Sequence, residues 1–207
     1  MNKINYSKEL EKIITKNERE STAPSLLLHS CCAPCSSYCL EYLAKHFNIT
    51  VFYYNPNISP KSEFEKRARD QQRLIAEMEL ESPVSYIEGE YNPQCFYDAV
   101  KGYENCREGS ARCEICYEMR LRETAKLAKK MNFDYFCTTL TISPLKNAQK
   151  INEIGAALSG EYSVSFLPSD FKKKEGFKRS VELSEKYGLY RQNFCGCVFS
   201  REGMKND

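Results

Sequence analysis

The sequence predicts an α/β fold: a Rossmann-like parallel sheet with helices on both faces and a cysteine-bearing helical insertion after the third strand. Three observations predict it. Short apolar runs alternate with longer amphipathic or charged segments, the pattern of strand–crossover–strand units. No linker and no internal repeat interrupts that alternation. At 207 residues, the chain has the length for one domain to bury a substantial core.

The elements follow in order. Residues 1–24 read as a polar N-terminal extension, helical and peripheral, ending near Thr22-Ala23-Pro24. Residues 25–207 then form a single α/β domain. Ser25-Leu26-Leu27-Leu28-His29 is a short apolar run typical of a buried strand. A cysteine-rich loop leads into a helix over roughly Ser36 to His46. Thr50 to Tyr54 is a second strand, stopped by Asn55-Pro56-Asn57. A long charged helix covers about Ser62 to Met78, and Val84 to Ile87 is a third strand. Residues 92–112 read as irregular, with scattered cysteines. Cys113 opens a helix to about Met131, and Tyr135 to Thr138 is a strand. A helix from Ala148 to Leu158, a strand from Ser163 to Leu167 and a helix from Phe177 to Tyr187 complete the pattern.

Composition narrows the function. The chain is 42% hydrophobic and 28% charged, as expected of a folded soluble protein. No apolar run has spanning length, so no membrane helix is expected. The N-terminus is too charged for a secretory core, which places the protein in the cytoplasm. A net charge of +2 argues against a strongly electrostatic nucleic-acid binder, though not against a local basic patch. Eleven cysteines, an odd and dense set, point in a reducing compartment to metal or redox chemistry.

Seven of the cysteines form three groups. Cys31, Cys32 and Cys35 lie in His29-Ser30-Cys31-Cys32-Ala33-Pro34-Cys35, between the first strand and its helix. Loops at the carboxyl ends of strands are where open α/β sheets bind ligands. Cys113 and Cys116 open a helix, whose free N–H groups favour anionic sulfur. In Cys195-Gly196-Cys197, the glycine lets the backbone turn so that both thiolates can face one place. A cubane iron–sulfur cluster takes four thiolates, leaving three for an incomplete second site. Structural zinc would also take four and leave three unexplained. Adjacent Cys31 and Cys32 diverge in extended backbone, so one can serve each of two centres.

The other titratable residues read more plainly. Cys39 and Cys137 are expected as small buried hydrophobes. Cys95 and Cys106 read as spare, with ligation the lesser alternative. His29 is a packed residue or a hydrogen-bond donor to a thiolate, and His46 belongs to the surface. The loop after the first strand lacks glycine and contains Pro34, which argues against a phosphate cradle and ATP.

With those residues in hand, the chain closely resembles the QueH type of epoxyqueuosine reductase. The likeness rests on the HSCCAPC loop, FYYNPNI (Phe52 to Ile58) with Glu63 and Arg67, and RCEICYEMRL (Arg112 to Leu121). It continues through TTLTISPLKN (Thr138 to Asn147), DFKKKEG (Asp170 to Gly176) and YRQNFCGCVFS (Tyr190 to Ser200), in family order. The resemblance implies reductive deoxygenation of epoxyqueuosine to queuosine in tRNA, without cobalamin. It also implies a 4Fe–4S cluster beside one additional mononuclear iron. A family member carries Asp where this chain has Cys35, which supports Cys35 as a ligand of the open-site iron. Cys113, Cys116, one of Cys31 and Cys32, and one of Cys195 and Cys197 are then expected on the cluster. The remaining two would hold the iron with Cys35. An external electron donor is implied.

The tRNA partner, bound at its anticodon region carrying epoxyqueuosine, suggests further residues. Lys172, Lys173 and Lys174, with Lys178 and Arg179, form a basic run opposed in sequence only by Glu175; it can contact phosphates or be a solvated face. Tyr190, Arg191 and Gln192 can stack on and hydrogen-bond a splayed-out base. Asn57 and Lys146, each in a loop after a strand, are further substrate candidates. Two alternatives belong to other classes: a zinc-stabilised RNA-binding module without catalysis, and a thiol–disulfide oxidoreductase using Cys113 and Cys116.

Overall fold

Leu26, Leu27 and Leu28 are fully buried, and the strand they occupy, β1 (Ser25–Ser30), is the centre of the molecule. The computed structural model describes residues 4–203. In it β1 is flanked by β2 (Asn48–Tyr53) and β4 (Tyr135–Thr138). β3 (Ser85–Glu88) lies beyond β2, and β5 (Ser165–Phe166) beyond β4, giving the order β3-β2-β1-β4-β5 with every pair parallel. The α/β, Rossmann-like expectation holds.

Alternation along β1 divides the core. Leu26 and Leu28 face α1 (Tyr6–Arg19) and α2 (Ala33–Leu43) through Leu10, Ile14, Leu40 and Leu43. Leu27 faces the opposite layer, α5 (Ala111–Lys130) and α6 (Ala148–Tyr162), through Leu121, Ala125, Ile151 and Leu158. Both faces are therefore covered, as a parallel sheet requires. α3 (Lys61–Glu77) follows β2, and α7 (Gly176–Lys186) packs on α2.

Some boundaries differ from expectation. α1 is no peripheral appendage, because Leu10 and Ile14 join the main core. His46 is half-buried rather than on the surface, with Nδ1 3.2 Å from a Glu18 carboxylate oxygen on α1. The stretch expected to be irregular contains α4 (Pro93–Ala99). Asn92 caps it by accepting from the Gln94 N–H, and Pro93 stands in the first turn, where a missing donor costs nothing. A short 3-10 turn, Thr139–Ile142, follows β4 directly, and α8 (Val198–Gly203) ends the described chain. Among the described residues, no helix is long and apolar enough to cross a membrane.

The chain proceeds outward from β1 to β2 and β3, then returns to the other side of β1 for β4 and β5. The order reverses between β1 and β4, so a crevice opens beyond their carboxyl ends. The Cys31–Cys35 loop sits there.

Candidate metal centre

Cys32 caps α2 in extended backbone, φ −174° and ψ 159°. Neighbouring side chains should diverge there, yet the Cys31 and Cys32 sulfurs are 3.7 Å apart. Pro34 starts α2 at once, and its first turn returns Cys35 to the same side. The sulfurs of Cys31, Cys32 and Cys35 all lie within 4.8 Å of one another, so the expected divergence does not occur in this loop.

A buried polar network fixes that turn. Ser30 Oγ donates to Gln71 Oε1 at 2.7 Å and lies 2.6 Å from Ser36 Oγ, which reaches the Cys32 carbonyl at 3.1 Å. His29 bridges three strands. Its Nε2 donates to the Tyr54 carbonyl at 3.1 Å, so Nδ1 is free to accept from Thr138 Oγ1 at 2.9 Å. Burial lowers its pKa to about 3, and the imidazole is neutral. It is a packed residue rather than a donor to a thiolate.

The other four grouped cysteines gather where α5 meets the C-terminal segment. Cys113 and Cys116 stand on the first two turns of α5, and the Gly109 N–H donates to Cys113 Sγ at 3.2 Å. Cys116 and Cys197 share an apolar cluster with Phe96 and Val100. Gly196 has φ +110°, a backbone conformation that favours glycine, and a Cβ there would lie 3.1 Å from Arg67 Nη1. Arg67 anchors this loop. Its Nη1 donates to the Cys195 carbonyl at 3.1 Å while its Nε donates to buried Glu63 at 2.8 Å. Ser59 N–H donates to the Gly196 carbonyl at 2.9 Å from the other side.

All the cysteines are free thiols. In the Cys31–Cys35 loop and in the Cys195–Cys197 pair, hydrogen bonding lowers one thiol and raises its neighbours. Hydrogen bonds from Cys32 and Cys35 hold Cys31 well below the ordinary thiol range. The reciprocal bond to Cys31 pushes Cys32 up to about 12. A bond from Cys197, aided by Lys146 and Arg120, lowers Cys195 to about 5. Burial raises Cys116 to about 11. Buried Arg120 and half-buried Lys146 line the same cavity as Cys31, Cys35 and Cys195.

A cavity of about 930 Å³ joins these parts. Cys31, Cys32, Cys35 and Cys195 line it, with Cys113, Cys116 and Cys197 outside that lining. Of the expected substrate residues, Asn57, Lys146, Arg191 and Gln192 are on its wall. Tyr190 is not; its ring lies under the Lys66 ammonium, 3.3 Å from the centroid. No residue of the basic run lines the cavity, although Phe177 and Ser180 beside it do, and the run is less free than its sequence suggests. Lys172 pairs with Asp170 at 2.8 Å, Lys174 with Glu11, and Arg179 with Glu41 at 2.7 Å. Cys39 and Cys137 are fully buried, as expected, and Cys95 donates to the Asn92 carbonyl at 2.8 Å. Cys106 does reach the cavity lining. Sequence reasoning did not single out Asn55 and Arg120, both buried and on the wall.

The donor set fits a metal. Three of the seven grouped thiols converge within 4.8 Å, none of the seven is consumed by a disulfide, and among the described residues Arg120 and Lys146 on the cavity wall are in no ion pair with a carboxylate. Soft thiolate donors at that density suit iron–sulfur or zinc chemistry. Fold and site together define a doubly wound α/β protein with a cysteine cluster able to hold a metal at its switch point. The family model described as "Epoxyqueuosine reductase QueH" matches residues 26–203, and the chain belongs to that family. Similar curated relatives carry the same description. The one from Staphylococcus epidermidis is 47% identical over 202 residues, covering 96% of this chain and 85% of its own. That from Streptococcus pyogenes is 44% identical, covering 96% and 78%. That from Thermotoga maritima is 40% identical, covering 85% and 90%. The chain is thus an oxidoreductase of queuosine biosynthesis, distinct from the cobalamin-dependent enzyme of that step.

Proposed function

We propose that this chain converts epoxyqueuosine in tRNA to queuosine with a 4Fe–4S cluster and an adjacent mononuclear iron. The observation carrying this is the preformed cysteine triad, Cys31, Cys32 and Cys35, on a cavity shared with Cys195. Cys113, Cys116, one of Cys31 and Cys32, and one member of the Cys195–Cys197 pair would hold the cluster. The remaining two, with Cys35, would hold the iron, with a coordination position open. When bound, the two groups supply electrons and a Lewis acid for the epoxide oxygen.

The chain's own residues prepare the site. The reaction takes up two electrons and two protons and releases the epoxide oxygen as water, leaving a carbon–carbon double bond. An external donor supplies the electrons. At about 930 Å³ the cavity is large enough for a flipped nucleoside carrying its epoxide ring. Arg191 and Gln192 offer hydrogen bonds, and half-exposed Phe177 offers a stacking face, on the cavity wall. Asn57 and Lys146 stand on that same wall and would offer further polar contacts.

The test is anaerobic incubation of reductant and iron-loaded protein with tRNA carrying epoxyqueuosine, followed by mass analysis of the digested nucleosides. Queuosine, lighter by one oxygen, is the expected product. Unchanged epoxyqueuosine with fully loaded protein overturns the proposal. A colourless, zinc-loaded protein that binds tRNA favours the RNA-binding module. Activity surviving removal of every metal favours a dithiol reaction at Cys113 and Cys116.

A further inference from the structure

Arg120 is 1% exposed, among the largest side chains fully buried in this protein. It lies one turn after Cys116 on α5. Its Nε donates to the Cys116 carbonyl at 3.1 Å, and its Nη2 has no hydrogen-bond partner. The Tyr117 ring is 5.9 Å from the guanidinium carbon. Arg120 stands on the cavity wall that Cys31 and Cys195 also line. Lys146 is half-buried on that same wall. Among the described residues neither cation is in an ion pair with Asp or Glu. Burying an unpaired cation costs several kcal/mol, so its counter-charge must be near. Sulfur is the anion on offer.

Charge counting makes this specific. A doubly positive cubane core held by four thiolates is a dianion, and reduction adds one more negative charge. Arg120 and Lys146 together offset that dianion. We infer that Arg120 is the charge partner of the metal–sulfur centre, a positioning residue that raises its reduction potential so that a donor can reload it. This rests on the cluster reading above. Arg120 neither touches the substrate in this role nor moves a proton. It acts through the field at Cys31, Cys116 and Cys195.

The test compares wild type, Arg120→Met, Arg120→Lys and Lys146→Met, each anaerobically reconstituted. Cluster midpoint potential is read by redox titration with electron paramagnetic resonance, alongside iron and sulfide content. Arg120→Met should shift the potential to more negative values, and Arg120→Lys should return most of the shift. Lys146→Met, on a loop outside every helix and strand, should shift it in the same direction without disturbing α5. A centre lost from folded Arg120→Met yet kept in Arg120→Lys also supports the inference. Wild-type potentials in both Arg120→Met and Lys146→Met overturn it, as does an equal shift in Arg120→Met and Arg120→Lys. Wild-type protein lacking an iron–sulfur cluster would instead overturn the reading on which the inference rests.

Discussion

Arg67 ties the C-terminal cysteine loop to α3, and replacing it with Met tests that tie. Arg67 and Glu63 form an ion pair whose side chains are 2% and 8% exposed. Arg67→Met removes the donor to Glu63 and the donor to the Cys195 carbonyl together. Deleting one partner of a buried pair costs about 3–5 kcal/mol, because the other charge stays buried alone. A chain of this size loses about 2–4 °C of Tm per kcal/mol, so Tm should fall by roughly 6–20 °C. Glu63→Met/Arg67→Met removes both charges and should recover most of that loss. The Cys195 loop loses its Arg67 tether in both variants, so both should retain less iron than wild type. Thermal unfolding under anaerobic conditions, with iron content of the same samples, measures both effects. Two results would refute the reasoning: Arg67→Met within about 1 kcal/mol of wild type, or a double variant no more stable than the single one.

Other perturbations separate the remaining parts. Cys35→Ser should abolish deoxygenation while sparing most of the cluster's visible absorption, whereas Cys113→Ser should lose the cluster; identical spectra would defeat the proposed division of ligands. Replacing Lys172, Lys173 and Lys174 with Ala should flatten the salt dependence of tRNA binding by only about one log–log unit, since two of the three are already ion-paired. Superimposable salt curves for wild type and variant would make the run a solvated face. Arg179 beside Glu41 holds that carboxyl below its ordinary value of 4.5. The stability it adds is present above that value and lost as pH falls through the folded one. Glu41→Gln should therefore lower Tm at neutral pH and converge with wild type in acid; a pH-independent difference would contradict the linkage.

The strands were legible because burial writes itself as short apolar runs; Tyr135 to Thr138 was read to the residue. The three cysteine groups were legible because the spacing within each is local, and the convergence of Cys31, Cys32 and Cys35 follows from one such group. α4 was missed because seven residues are too few to show a helical period, although Asn92-Pro93 carried its start signal. The cations were harder. Arg67 and Arg120 sit in helices rich in Glu, Lys and Arg, where charge ordinarily means solvent. Only the tertiary placement of Cys195 against α3, and of Cys31 near α5, turns those charges inward. The pairing of the lysine run was only partly legible: Asp170 and Glu182 lie beside it in sequence, whereas Glu11 on α1 and Glu41 on α2 are distant and outside the local pattern.

The central claim is that the cysteine-lined cavity holds one cubane cluster and a separate iron. The most direct test is the iron and acid-labile sulfide content of anaerobically purified protein that converts epoxyqueuosine-containing tRNA at full activity. Four thiolates on the cluster and three on the second site predict about five irons for four sulfides. An equal number of irons and sulfides in fully active protein would contradict the account.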